Sequence, residues 1–167
     1  MFCEKPETSR RFVILVRRLD QSAAQRQFIV LALGLRALAR DVHVVLLYPG
    51  GAFDADLSDR GVPIYVLGKR GRWDIIGFVI RLSIGLRRLR PDVVYSFLDV
   101  PNILATTLKP LLPGVAIVWG VRASNMDLSC YDWLSSLAYA LECRLARFND
   151  RIIANSYAGK HHAVENG

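Results

Sequence analysis

The chain has 167 residues, 52% of them hydrophobic and 22% charged, with 22 basic side chains against 15 acidic ones and a net charge of +7. That balance suits one domain with a sizeable core and excludes an intrinsically disordered chain. The opening MFCEKPETSRR is charged where a signal peptide needs an apolar centre, and no uncharged run reaches spanning length, so a cytoplasmic chain without a transmembrane anchor is expected.

Residues 1–10 are expected to be a flexible N-terminus, and residues 11–167 one domain. The run at 12–16 (FVILV) has strand length and no polar residue. From Phe28, the apolar positions Leu31, Ala32, Leu35, Leu38 and Ala39 recur at helical spacing, with Arg26, Arg36 and Arg40 elsewhere on the cylinder. Residues 42–48 form a second buried strand, stopped by Pro49-Gly50-Gly51. A short helix over 53–60, a strand over 64–67 and a helix over 73–89 follow. Pro91-Asp92 precedes a strand at 93–97. A helix is expected from about 102 to 111, then a strand over 117–121, which turns polar at Arg122-Ala-Ser-Asn-Met-Asp127. An amphipathic helix over 133–148 places Leu134, Leu137, Ala138, Leu141, Leu145 and Phe148 on one face. A sixth strand covers 151–154, and Ser156 is placed to cap a last helix.

Short apolar strands separated by single helices predict an α/β fold, a Rossmann-like parallel sheet with helices on both faces. Ligands of such sheets gather at the carboxyl ends of the strands, so the strand-to-helix loops are the candidate functional edge. The first of these loops, residues 17–27, leads into a helix whose free N–H groups and Ser22 suit an anion. No G-x-G-x-x-G or Walker pattern is present, which speaks against an ordinary dinucleotide or nucleoside-triphosphate site. Cys3, Cys130 and Cys143 are odd in number and far apart, as reduced thiols are, with no disulfide framework or zinc site implied. The basic pairs and clusters suit phosphates, anionic lipid or nucleic acid, and charge alone does not choose among them. The chain has no recognition-helix motif and no aromatic–basic interleaving, so no nucleic-acid partner is expected.

Several motifs in order resemble one family. They are Leu19-Asp-Gln-Ser-Ala-Ala-Gln-Arg-Gln27, Tyr48-Pro-Gly-Gly51, Arg90-Pro-Asp-Val-Val94 and Ile152-Ile-Ala-Asn-Ser156. Together they are similar to the N-terminal half of a family 4 glycosyltransferase of the two-domain GT-B fold. The resemblance implies a sugar transferred with retention from a nucleotide-sugar donor to a glycan or lipid-linked acceptor, without a metal or another cofactor. It also implies that this chain is the acceptor-side domain, the C-terminal donor domain lying outside it, and that the isolated domain is inactive. A non-catalytic fragment or binding module that keeps only the fold is the alternative.

Two departures from the family pattern bear on the site. Ser22-Ala23 stands where many members have Gly-Gly, and the added Cβ atoms narrow the approach of backbone to a phosphate. Arg122 stands where many members have a histidine. An arginine is no base at neutral pH, but its five donors clamp a phosphate or a sugar hydroxyl, so Arg122 is the candidate catalytic residue. Ser22, Ala23, Gln25, Arg26, Asn102, Ser124, Asn125, Asp127 and Ser156 are the candidate substrate-binding residues.

Other features read as structural. Asp54-Ala-Asp56 has a metal-binding spelling, but in the first turn of a helix its carboxylates diverge and complement the dipole. His161 and His162 lack partners at ligand spacing and are expected on a helix surface. Asn102, just after Pro101, is most simply a helix cap. The helix over 73–89 is apolar almost all round and reads as core. With Trp73 and the Lys69, Arg70 and Arg72 cluster beside it, an anionic membrane surface is a second expected partner, which would put the protein at the inner face of the membrane.

Overall fold

The apolar runs become the strands of a single six-stranded parallel sheet. The computed structural model describes residues 10–19, 23–38, 40–51, 54–68, 74–121, 133–154, 156–157 and 160–161, the side chains of 23–25, 54–56, 99, 121 and 133–139 excepted. In chain order the elements are β1 (Arg11–Val16), α1 (Ala23–Ala37), β2 (Asp41–Leu46), α2 (Asp54–Asp59), β3 (Ile64–Val66), α3 (Ile75–Leu89), β4 (Val93–Phe97), α4 (Asp99–Leu108), β5 (Ala116–Val121), α5 (Trp133–Ala146) and β6 (Arg151–Ala154). A 3-10 turn at Lys109–Leu111 follows α4.

The strand order is β3-β2-β1-β4-β5-β6. Winding runs outward from β1 to β3, then returns across the sheet to β4 and runs outward the other way. Parallel crossovers share one hand, so this reversal sends later helices to the opposite face. Val13, Leu15, Val45, Leu47, Val94, Ile117 and Trp119 point to the face covered by Phe78, Leu82 and Leu86 of α3 and by Ala105 and Leu108 of α4. Ile14, Val16, Val44, Leu46, Tyr95 and Phe97 point to the other, covered by Phe28 and Ala32 of α1 and Leu57 of α2. Strands buried on both faces need apolar residues at every position, hence the continuous runs in the sequence.

Several expectations shift. Helix α1 starts at Ala23 rather than Phe28, and α4 at Asp99 rather than Asn102. Proline is accepted in a first turn because its missing N–H would have no partner there, so Pro101 lies inside α4 and does not mark its start. Asn102 is therefore not a cap. The third strand is an edge, with Tyr65 and Val66 exposed. Of the apolar face expected on α5, Leu145 packs on the core, while Leu141 and, beyond the helix, Phe148 are exposed; the side chains of Leu134, Leu137 and Ala138 lie outside the described residues. Helix α3 is not core all round, because Ile76, Ile80 and Ile84 face outward.

Carboxylates tie down the amino ends of the strands. Asp92 Oδ2 accepts from the Arg11 N–H at 2.8 Å, while the Asp92 N–H donates to Arg11 O at 2.9 Å. Asp150 Oδ2 accepts from the Ile117 N–H at 2.7 Å and from Lys109 Nζ at 2.8 Å. Those two donors, Lys109 first, hold the Asp150 carboxyl below the usual aspartate range against a smaller opposing effect of burial. At Asp41, burial raises the pKa, but the Arg11 hydrogen bond and the charges of His43 and Arg11 together outweigh it, and the net shift is downward.

Candidate functional site

Strand order places a switch point between β1 and β4. The chain leaves β1 for the α1 face and leaves β4 for the α4 face, so the two loops part and open a crevice at the carboxyl edge. Four strand ends, those of β1, β2, β4 and β5, shape it.

From β1 come Arg17 and Arg18, both exposed, and buried Leu19. The loop after β2 holds both arginines. Tyr48 N–H donates to Arg17 O at 3.1 Å, and the Arg17 guanidinium lies 5.8 Å from the centre of the Tyr48 ring. Arg18 Nε donates to Gly50 O at 2.5 Å. The Pro49-Gly50-Gly51 motif has a physical reason here. Gly50 has a φ of 75°, and a Cβ on Gly51 would stand 2.7 Å from the carbonyl carbon of Leu19. Only glycine lets the second loop close on the backbone of the first. The result is a rim of two arginines whose long side chains are already oriented, which lowers the entropy cost of gripping an anion.

The end of β4 is strained and polar. Leu98, the residue before α4, has a φ of 69° and a ψ of 171°, a region that side chains other than glycine avoid. Behind it, Ser96 Oγ donates to Asn102 Oδ1 at 2.7 Å, and Asn102 Nδ2 donates to Glu142 Oε1 of α5 at 2.7 Å. Ser96 and Asn102 are fully buried. One turn further on, Thr106 Oγ1 donates to Asn149 Oδ1. These bonds tie α4 and α5 to β4 and so hold the β4 end in place.

On β5, Gly120 permits a close approach. A Cβ there would lie 2.7 Å from the Tyr95 hydroxyl and 3.1 Å from the Phe97 ring. The strand therefore delivers Val121 directly beside the β4 end.

The candidate residues fall into groups. Ser22, Arg122, Ser124, Asn125 and Asp127 lie outside the described residues, and so does His162. Ala23 and Gln25 occupy the first turn of α1, and Arg26 is exposed on that turn. Ser156 is exposed after β6, and its carbonyl accepts from the Lys160 N–H at 3.0 Å as a helical turn begins. Asn102 is committed to Ser96 and Glu142, so its side chain braces the edge and does not reach into the crevice. The Arg17–Arg18 rim was not singled out by sequence. Its signal was a basic pair directly at the end of the first strand, indistinguishable there from a solvated surface pair.

The glycosyltransferase family 4 model matches residues 24–167. This chain belongs to that family. No curated protein matches it in sequence. Among solved structures, HepE of Anabaena, in complex with UDP and glucose, superposes at a TM-score of 0.76 with 17% identity, over 95% of this chain and 41% of that one. MurG of Acinetobacter baumannii gives 0.60 at 15% identity over 86% and 41%, and a UDP-N-acetylglucosamine 2-epimerase of Rickettsia bellii 0.65 at 13% over 95% and 42%. At these identities the likeness is one of fold. The family 4 chain has the Rossmann-like N-terminal half of the GT-B architecture and spans about two fifths of the length of these neighbours.

Proposed function

We propose that this family 4 chain is the acceptor-side half of a retaining, hexosyltransferase-type glycosyltransferase. It would use a nucleotide-sugar donor and a glycan or lipid-linked acceptor, without a metal or other cofactor, at the inner face of the membrane. The supporting observation is the family match over 24–167 on a sheet whose switch-point crevice is rimmed by Arg17 and Arg18. The Anabaena neighbour's complex with UDP and glucose supports the donor class. In this reading a C-terminal domain carries most of the donor, and the crevice presents the acceptor to it. Arg122 and the Arg17–Arg18 rim stabilise negative charge on the leaving diphosphate or on the acceptor. Ser124, Asn125 and Asp127 orient hydroxyls, the α1 turn with Ser22, Ala23, Gln25 and Arg26 faces the donor phosphates, and Ser156 lines the far side.

The test is sugar transfer by the full-length protein across a panel of nucleotide sugars, with wild type compared with Arg122→Ala. Loss of a charge-stabilising donor costs about a hundredfold or more in turnover. Turnover unchanged in a folded variant would refute the role of Arg122. A second reading, a binding module without turnover, is favoured by Ser22-Ala23 in place of Gly-Gly. It predicts acceptor binding by calorimetry with no transfer from any donor.

A further inference from the structure

The outward isoleucines of α3 stand outside both core clusters of the sheet. Ile76, Ile80 and Ile84 are 78%, 52% and 45% exposed, and at a spacing of four they stand on successive turns of one face. Phe78, Leu82 and Leu86 on the opposite side already seat the helix on the sheet. A contiguous apolar ridge on a surface marks an interaction site more often than isolated exposed residues do.

The ridge ends in charge. Arg87 and Arg88 lie exposed in the last turn of α3. Arg87 Nε donates to Leu111 O at 3.1 Å, which sets exposed Leu111 beside the end of the ridge. Arg81, on the flank, is paired with Asp74. Among the described residues no carboxylate pairs with Arg87 or Arg88. In the sequence, Lys69, Arg70, Arg72 and Trp73 stand immediately before the helix. The partner must therefore offer both an apolar layer and negative charge. A second copy of the chain offers the first, but brings the same +7 with it. An anionic bilayer offers both. Among the described residues no helix is long and apolar enough to cross a membrane, so α3 would lie along the surface.

We propose that α3 is a membrane-docking helix. Ile76, Ile80 and Ile84 enter the acyl boundary of an anionic bilayer, and Arg87 and Arg88 pair with lipid phosphates. Helix α3 starts just beyond the carboxyl end of β3, so its Ile76 end lies towards the crevice edge of the sheet. Docking therefore holds that edge near the lipid surface. The inference rests on the inner-face location given in the proposed function, but its failure is distinguishable from failure of sugar transfer, because binding to lipid is measured without donor or acceptor.

The test is co-sedimentation of the chain with phosphatidylglycerol-containing vesicles and with pure phosphatidylcholine vesicles, at about 50 mM and about 500 mM salt. Binding is expected to the anionic vesicles alone and to fall at least about tenfold at the higher salt. Ile76→Asp/Ile80→Asp/Ile84→Asp should abolish it, and single Ile80→Asp should weaken it about tenfold or more. Arg87→Gln/Arg88→Gln should weaken it on the order of 25-fold, about fivefold for each charge. Val30→Asp, at an exposed site on the other face of the sheet, should change nothing. All these positions are exposed, so melting curves should match wild type. Absence of vesicle binding at low salt overturns the proposal, as does equal binding to both lipids or wild-type binding by Ile80→Asp. A dimer that the triple variant dissociates, without vesicle binding, would assign the ridge to a second copy instead.

Discussion

Replacing Asn102 tests whether the buried bonds behind the β4 end hold the crevice edge together. Its side chain makes two bonds, one accepted from Ser96 and one donated to Glu142, each 2.7 Å long. Asn102→Ala removes both. The neutral bond contributes about 1 kcal/mol and the bond to a carboxylate about 1.5–3. After the change Ser96 keeps only a long contact, 3.4 Å, to Val118 O. The expected loss is about 2.5–4 kcal/mol. For a chain of this size that lowers the melting temperature by about 7–12 °C, at roughly 3 °C per kcal/mol. Asn102→Leu restores volume without the bonds and should recover little of this, which separates packing from hydrogen bonding. Asn102→Asp brings a second carboxylate against Glu142. Two carboxylates in contact do not both ionise without a large cost, so this variant should be less stable than Asn102→Ala at about pH 7.5 and regain stability as the pH falls towards about 5. Differential scanning calorimetry at several pH values reads all three variants. A fall under about 2 °C for Asn102→Ala, or a pH-independent deficit for Asn102→Asp, would refute the reasoning.

Gly120→Ala forces a Cβ against Tyr95 and Phe97 and should cost about 1–3 kcal/mol by chemical denaturation. Adding Tyr95→Phe removes the nearest atom, so the pair should be less unstable than the sum of the two single changes; strict additivity would show that Gly120 does not touch that hydroxyl. Asp150 has a folded pKa below its unfolded value, so its contribution is fully present above the unfolded pKa and disappears as pH falls through the folded one. Asp150→Asn should therefore destabilise by about 1–2 kcal/mol near neutral pH, a figure reduced because the carboxylate is 43% exposed, and by almost nothing near pH 2. An equal deficit at both pH values would contradict the assignment of the stabilisation to the charged form.

Strands were more legible than helix boundaries, and the reasons differ. The runs that became β1, β2, β4 and β5 are mostly apolar on both faces, and their short length favours a strand over a buried helix. Helix starts were misplaced at Ala23 and Asp99 because the first turns hold polar residues or a proline, which interrupt the apolar period although a first turn accepts them. The Arg17–Arg18 rim and the Ser96–Asn102–Glu142 bonds join residues far apart in the chain, which no local pattern reports. The exposed side of α3 was hidden for a related reason. An isoleucine facing solvent and one facing the sheet are written alike, and only the position of the sheet tells them apart.

The sequence by itself determined the class of the protein. Its order of buried runs, its helical periods and the Pro-Gly punctuation require a parallel sheet wrapped by helices, and its ordered motifs resemble family 4. Tertiary structure decided everything that depends on which elements become neighbours. It set β1 beside β4, closed the Gly51 loop on Leu19, turned Asn102 inward and left Ile76, Ile80 and Ile84 outside. Burial patterns are local properties of the chain and survive in one dimension. Adjacency across the sheet is a property of the folded whole, created when the winding reverses after β3 and two distant loops come to share one crevice.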